Sequence, residues 1–163
     1  MKKLVIALLL FAAVVGSASA WGVNVGVEMN MNSGNHPELG DMPALAFGIH
    51  SGVEINLNEM FSTGVNLSVS FSDVYAFEAS GFFRWYFLGG LPDSAGFFRN
   101  LFAQADLGVW TGNDNHSETV KFLGGGSVGM RIPLPGNFYI EPYARFGYPF
   151  LVGGGVTAGY LFR

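Results

Sequence analysis

From Trp21 onward the side chains change character with a period of two, and they do so in eight successive runs. In the first, Trp21, Val23, Val25, Val27, Met29 and Met31 are apolar, while Gly22, Asn24, Gly26, Glu28 and Asn30 lie between them. Successive side chains of an extended strand point to opposite faces, so this run has one apolar face and one small or polar face. The same pattern covers 44–57, 63–71, 74–87, 101–110, 120–132, 138–148 and 151–162. These runs are 9 to 14 residues long. Strands of soluble sheets centre on about 5–6 residues, whereas a tilted strand crossing a bilayer needs about 9–11.

Two features decide which face is outside. The runs are phased on their apolar residues, so the charges are free to fall on either face. Nine land on the polar face: Glu28, Glu54, Glu78, Arg84, Asp106, Lys121, Arg131, Glu141 and Arg145. None lands on the apolar face; the rest sit in turns or at the ends. The apolar-face aromatics also cluster at strand ends. Trp21, Trp85, Phe87, Phe138, Tyr160 and Phe162 lie toward one end, and Phe47, Phe71, Tyr75, Phe77, Phe146 and Tyr148 toward the other. Two aromatic girdles around an aliphatic band are what a lipid-facing surface requires. A soluble barrel would carry the opposite polarity, apolar within and polar without. Exposed strand edges cannot be tolerated in hydrocarbon, so the sheet has to close. The expectation is an all-β, closed, antiparallel, eight-stranded transmembrane up-and-down β-barrel over residues 21–163.

Composition agrees. Half of the 163 residues are hydrophobic, 15% are aromatic and only 12% are charged, with a mean hydropathy of +0.34. Yet beyond the first twenty residues no apolar run approaches the roughly 18 needed for a spanning helix. Cysteine is absent, which excludes disulfides, thiolate metal sites, a cysteine nucleophile and a lipidated N-terminal cysteine. Residues 1–20 have the form of a cleaved signal peptide. Lys2 and Lys3 precede an apolar run over 4–15, and Ala18 and Ala20 occupy the A-x-A positions before Trp21. Taking Lys2 and Lys3 from the 8 basic residues leaves 6 against 12 acidic ones. An exported chain of that charge has little with which to neutralise phosphates, so no nucleic-acid partner is expected.

An eight-stranded barrel is just wide enough for its own side chains to fill. Five acids and four bases on the inward face have to pair there. Hairpin pairing about Pro135 puts Arg131 diagonal to Glu141 and Gly125 opposite Arg145. Pairing about 88–100 puts Arg84 opposite Gln104 and diagonal to Asp106. Inward glycines of Gly124-Gly125-Gly126 and Gly153-Gly154-Gly155 either leave space for the Arg145 guanidinium or relieve curvature. Pro142 sits mid-strand without an N–H, so the wall bulges there or is open or water-lined. Together with Gly124, Gly126 and Gly154 it marks a candidate lateral opening. His50 faces the lumen as a packed, hydrogen-bonded residue.

With the N-terminus inside, 32–43, 72–73, 111–119 and 149–150 face outward, and 58–62, 88–100 and 133–137 are inner turns. The outer loops carry Glu38, Asp41, Asp73, Asp114 and Glu118 with no Lys or Arg. Asp114, His116, Ser117 and Glu118 crowd one loop, and Ser33 and His36 another. A nucleophile, base and orienting group normally come from different, rigid elements, so these read as solvated loop residues. No catalytic residues, metal ligands or cofactor are expected.

The alternation, girdles and length resemble the small eight-stranded outer-membrane β-barrels of Gram-negative-type bacteria, the OmpX, OmpW and OmpA transmembrane-domain kind. Val156-Thr157-Ala158-Gly159-Tyr160-Leu161-Phe162 looks like the barrel-assembly signal of that group, with Tyr160 and Phe162 as its aromatics and Arg163 as a departure from it. The resemblance implies a non-enzymatic outer-membrane protein with a charge-paired, plugged lumen and a structural or surface-interaction role. It implies outer-membrane lipid and the barrel-assembly machinery as partners, and a monomer. The alternative it carries is a narrow conduit for small hydrophobic solutes, of the OmpW kind. A lipid-modifying outer-membrane enzyme is the remaining class.

Overall fold

The computed structural model describes residues 20–31, 45–71, 75–90, 98–114, 117–149 and 151–162. Eight long strands form the wall: β1 (Ala20–Met31), β2 (Leu45–Asn56), β3 (Phe61–Phe71), β4 (Tyr75–Tyr86), β5 (Leu101–Asp114), β6 (Ser117–Met130), β8 (Phe138–Tyr148) and β9 (Val152–Phe162). The two-residue β7 (Ile132–Pro133) continues β6 beyond Arg131. Every pairing is antiparallel; β9 pairs with β1, and β6 with β8, so the sheet closes as an up-and-down barrel. Residues 1–19 of the signal segment lie outside the described residues, as do Arg163 and the outer loops 32–43 and 72–73.

The register fixes the shape. Trp21 pairs with Ile55, and the path continues through Thr63, Phe83, Ala105, Gly126, Phe146 and Val152 back to β1 at Met31. One circuit therefore returns ten residues further along the starting strand. With a strand rise of ~3.3 Å and a spacing of ~4.8 Å, that stagger over eight strands tilts them by about 40°.

The polarity is inverted relative to a soluble barrel. Val27, Leu107, Val120 and Phe122 point outward and are each more than 60% exposed, whereas inward Glu54 is 0% and Glu28 3% exposed. At the end carrying Ala20 and Phe162, here the terminal end, outward aromatics are linked in a band. Phe138 meets Tyr160, Tyr160 meets Phe162, and Phe162 stacks on Trp21 at 4.0 Å between centroids. At the opposite, loop end, Phe47 pairs across with Phe71, and Phe77, Phe146 and Tyr148 are exposed. At the terminal end Ile55, the β2 partner of Trp21, is 6% exposed although it belongs to the outward face.

Three boundaries differ from those expected. The β2–β3 turn closes within Leu57–Met60 rather than 58–62, because Asn58 Oδ1 accepts from the backbone N–H groups of Met60 and Phe61 at 2.8 and 2.9 Å. The segment 111–119 is mostly strand: Gly112, Asn113 and Asp114 pair with Thr119, Glu118 and Ser117. Those rungs run past the end of β8, which stops at Tyr148 opposite Gly124, so they lack the apolar phase by which the other strands are read. The sixth strand breaks at Arg131, whose N–H donates to the Asn100 carbonyl at 2.9 Å. The turn that follows needs left-handed backbone at Gly136 (φ 76°) and Asn137 (φ 66°), residue types that tolerate it.

An outward arginine at mid-wall would have to be buried in hydrocarbon, whereas one near a girdle can reach water. Val27→Arg should lower stability by about 2–4 kcal/mol and Phe162→Arg by about 0–1 kcal/mol. Urea titration of the protein folded into phosphatidylcholine vesicles reads both; equal costs would contradict the belt.

Candidate functional site: the charged lumen

The inward side chains fall into three tiers. The tier nearest the terminal end is a closed ring of two guanidiniums and two carboxylates. Arg84 Nη1 lies 3.0 Å from Glu54 Oε2 and 2.9 Å from Glu141 Oε1. Arg131 lies 2.5 Å from the same two carboxylates, through Nη2 to Glu54 and Nε to Glu141. Glu54 is in β2, Arg84 in β4 and Glu141 in β8; Arg131 follows β6. Alternate strands thus supply one layer, as side-chain layers inside small barrels are built. Because β2 and β6 are four wall strands apart, the Arg131–Glu54 bond spans the lumen.

Aromatics pack around this ring. The Arg84 guanidinium sits 4.0 Å from the Phe102 ring centroid, and that of Arg131 4.2 Å from the Tyr139 ring. Tyr86 donates its hydroxyl to Glu54 Oε1 at 3.1 Å, and Gln104 Oε1 accepts from Arg84 Nε at 2.9 Å. Buried ions stay charged at tolerable cost only when paired and hydrogen-bonded in this way.

The middle tier is organised by Glu28 and Arg145. Glu28 accepts from Arg145 Nη1 at 3.1 Å, Tyr143 hydroxyl at 3.0 Å, Asn30 Nδ2 at 3.1 Å and the Ser68 hydroxyl. His50 Nδ1 lies 3.8 Å from Glu28 Oε2. Arg145 also donates from Nη2 to Glu78 Oε2 at 2.9 Å. Asp106 Oδ1 accepts from Gln104 Nε2 at 2.8 Å and Asn66 Nδ2 at 3.3 Å. Nearest the loop end, Ala76, Trp110 and Leu123 form a buried apolar cluster, with the Lys121 ammonium 5.7 Å from the Trp110 ring.

All nine inward charges therefore face the lumen, but their partners differ from hairpin expectations. Arg131 does meet Glu141. Arg84 lies opposite Gln104, yet it bonds Glu54 and Glu141 across the barrel rather than Asp106. Arg145 lies opposite Ser127, and Gly125 opposite Gly147, two residues from the expected register. The expected pairing assumed the turn centre at Pro135, whereas the β6–β8 register centres on Gly136. Sequence reasoning did not single out Tyr86, Phe102, Tyr139, Tyr143, Ser68 or Asn66. Their signal was present, since each occupies the inward phase of its strand.

The glycines of β9 make room for β8. A Cβ on Gly159 would lie 2.2 Å from Tyr139 Cζ, one on Gly155 2.7 Å from the Tyr143 hydroxyl, and one on Gly153 3.2 Å from Arg145 Cγ. Gly124 pairs with Tyr148, Gly126 with Phe146, and Gly154 with Ala144. Pro142 stays within β8, paired with Val156 of β9. On the β6 side the ladder is interrupted between the Gly129–Tyr143 and Ile132–Ile140 pairs. The register is the same on both sides of the gap, so no residue is inserted and there is no bulge. Ser33, His36 and His116 lie outside the described residues.

The barrel superposes on the N-terminal β-barrel domain of Pseudomonas aeruginosa OprF with a TM-score of 0.57 at 10% identity, covering 87% of this chain and 97% of that one. It superposes equally on Ail, the attachment invasion locus protein of Yersinia pestis, solved in complex with the heparin analogue sucrose octasulfate. There the TM-score is 0.56 at 10% identity, over 88% of this chain and 98% of that one. The fold is that of the small eight-stranded outer-membrane barrels. At such identities the likeness is one of fold alone. No family model and no curated protein matches the sequence.

Two double-mutant cycles test the lumen architecture of this outer-membrane-type barrel. Arg84→Met leaves two buried carboxylates with one guanidinium and should cost about 3–5 kcal/mol. Adding Glu54→Gln should recover part of it, with a coupling of about 0.5–3 kcal/mol in a double-mutant cycle of urea unfolding. Gly159→Ala should cost about 1–3 kcal/mol by overpacking, and Tyr139→Leu in the same chain should relieve part of it, since the Val23 carbonyl oxygen at 2.6 Å remains. Gly81→Ala, whose Cβ meets nothing closer than 3.8 Å, should change little. Additive effects in either cycle would contradict the contacts described.

Proposed function

We propose that this chain is an outer-membrane β-barrel whose lumen is closed by charge pairing, with a non-enzymatic structural or surface-interaction role. The observation that carries the reading is the ring of Arg84, Arg131, Glu54 and Glu141. Its bonds join opposite walls, so passage along the axis would require breaking buried ion pairs at several points at once. The apolar cluster of Trp110, Leu123 and Ala76 stands above it, and Phe102 and Tyr139, each 1% exposed, stand beside it. Export by a cleaved signal peptide, with the cut before Trp21, delivers the barrel to the outer membrane in this reading. Outer-membrane lipid covers the apolar belt. The assembly machinery reads Tyr160 and Phe162 on the outward face of β9. The barrel works as a monomer, because its own strands close the sheet.

A narrow conduit for hydrophobic solutes would need a continuous apolar passage from the loop end to the wall at Pro142. The lumen beside Pro142 presents the Glu141–Arg131 pair of the ring instead, and toward the loop end Asp106 and Arg145 line a cavity of about 10 Å³ bordered by Gly124 and Gly126. Planar-bilayer recording of the refolded protein separates the readings. The wild type should show no resolved open steps, and Arg131→Ala should lower stability without producing them. Large, regular conductance steps in the wild type would overturn the closed-lumen reading.

A further inference from the structure

The terminal-end ring is electrically balanced, with two acids against two bases. The middle tier is not. Glu28, Glu78 and Asp106 line one cavity of about 30 Å³, and Arg145 and His50 are the cationic or titratable nitrogen groups beside them. With His50 neutral, three carboxylates face one guanidinium, an excess of two negative charges. Glu28 is satisfied by four donors. Glu78 is not: it is 3% exposed, its Oε2 takes Arg145, and its Oε1 has no hydrogen-bond partner among the described residues. Asp106 accepts both of its amide bonds through Oδ1. Glu28 and Asp106 are both near enough to interact electrostatically with Glu78.

The register gathers further oxygens around this pair. Asp106 lies opposite Phe82 on β4 and Gly125 on β6, which makes Ser80 and Ser127 its diagonal neighbours. Both serines line the same cavity. Carboxylates and hydroxyls are ligands for hard cations. At roughly 10–15 Å³ for each water-sized occupant, the space admits an ion with one or two waters. Magnesium keeps several waters and an octahedral shell, which so small a space does not admit, whereas calcium accepts irregular oxygen coordination. The smaller cavity beside Gly124 and Gly126 shares Asp106 and Arg145 with this one, and it reaches the seam where β8 ends against β6.

We propose that the middle tier binds one hard divalent cation of calcium size, with Glu78 Oε1 and Asp106 as charged ligands and Ser80, Ser127 and water completing an oxygen shell. Among the described residues no three His, Cys, Asp or Glu side chains form a metal-holding group, so the neutral oxygens are integral to the site. The ion neutralises the excess charge that the protein's own bases leave.

The probe is terbium(III), an oxygen-seeking ion of calcium size, whose emission is sensitised by nearby tyrosine; Tyr143 lines the cavity. The full barrel is refolded in zwitterionic detergent without lipopolysaccharide, and heat-modifiable gel mobility verifies folding of each variant. The expected result is a saturable signal at a single equivalent, displaced by calcium far better than by magnesium or sodium. Glu78→Gln and Asp106→Asn should each weaken binding about tenfold or more, because each removes one of two ligand charges. Ser127→Ala, which leaves the charges intact, should weaken it less and keeps the test valid if a charge variant fails to fold. An unsaturable signal, equal displacement by sodium, or unchanged binding in these variants would overturn the site. Conductance is recorded separately, so a failed cation site and a failed closed lumen remain distinguishable.

Discussion

Hydrocarbon offers no hydrogen-bond partner to a peptide group, and the rest of the molecule follows from that. Each unpaired N–H or C=O in the membrane core costs several kcal/mol, so the first and last strands must find each other. They do, in a ladder from Trp21–Phe162 to Met31–Val152. Once the ring closes, polarity is forced: the face in contact with lipid carries Val, Leu, Ile and aromatics, and the charges can go only inward. The alternation is the record of that requirement, written along every strand.

Closure alone does not determine which inward residues meet. The ten-residue stagger does. It tilts the strands and brings alternate strands to one level, so that β2, β4 and β8 supply Glu54, Arg84 and Glu141 to a single ring with Arg131. The narrow bore then makes the contacts transverse. In a wider barrel Arg84 and Glu141 would face water; here each is the other's solvent. The inward glycines of β9 belong to the same constraint. Tyr139, Tyr143 and Arg145 fit only because the strand beside them has no side chain at Gly159, Gly155 and Gly153.

This division explains what could be read from the chain. Period and polarity are local properties, so strand positions, the nine inward charges and the girdles are legible from one strand at a time. The Arg131–Glu141 contact is legible too, because a single turn joins its partners. The Arg84–Glu141 contact joins residues 57 apart in sequence through the stagger of the whole barrel, and nothing near either residue encodes it. The rungs at Gly112–Asp114 and Ser117–Thr119 are illegible for the opposite reason. They run beyond the end of β8, where nothing selects for an apolar face. Pro142 was legible as an anomaly but not in its consequence, because a bulge and a gap in one ladder each absorb a missing N–H. The gap is tolerated because Arg131, the residue in the break, turns its N–H to Asn100 on the other side.

The lumen also shows why burial of charge is graded along the axis. Near the terminal end, the two bases and two acids compensate one another completely, and aromatic faces exclude water from the ring. Farther along, Arg145 must serve both Glu28 and Glu78, and Asp106 is held by amides that bring no charge. A protein that needed only a filled interior could have used Leu and Phe there, as it does at Trp110 and Leu123. Carboxylates left with neutral partners keep a field open to something from solution, and the cavity lies where that field is least compensated. The balanced ring fixes the wall; the unbalanced tier above it is the part of the interior chemically equipped to respond.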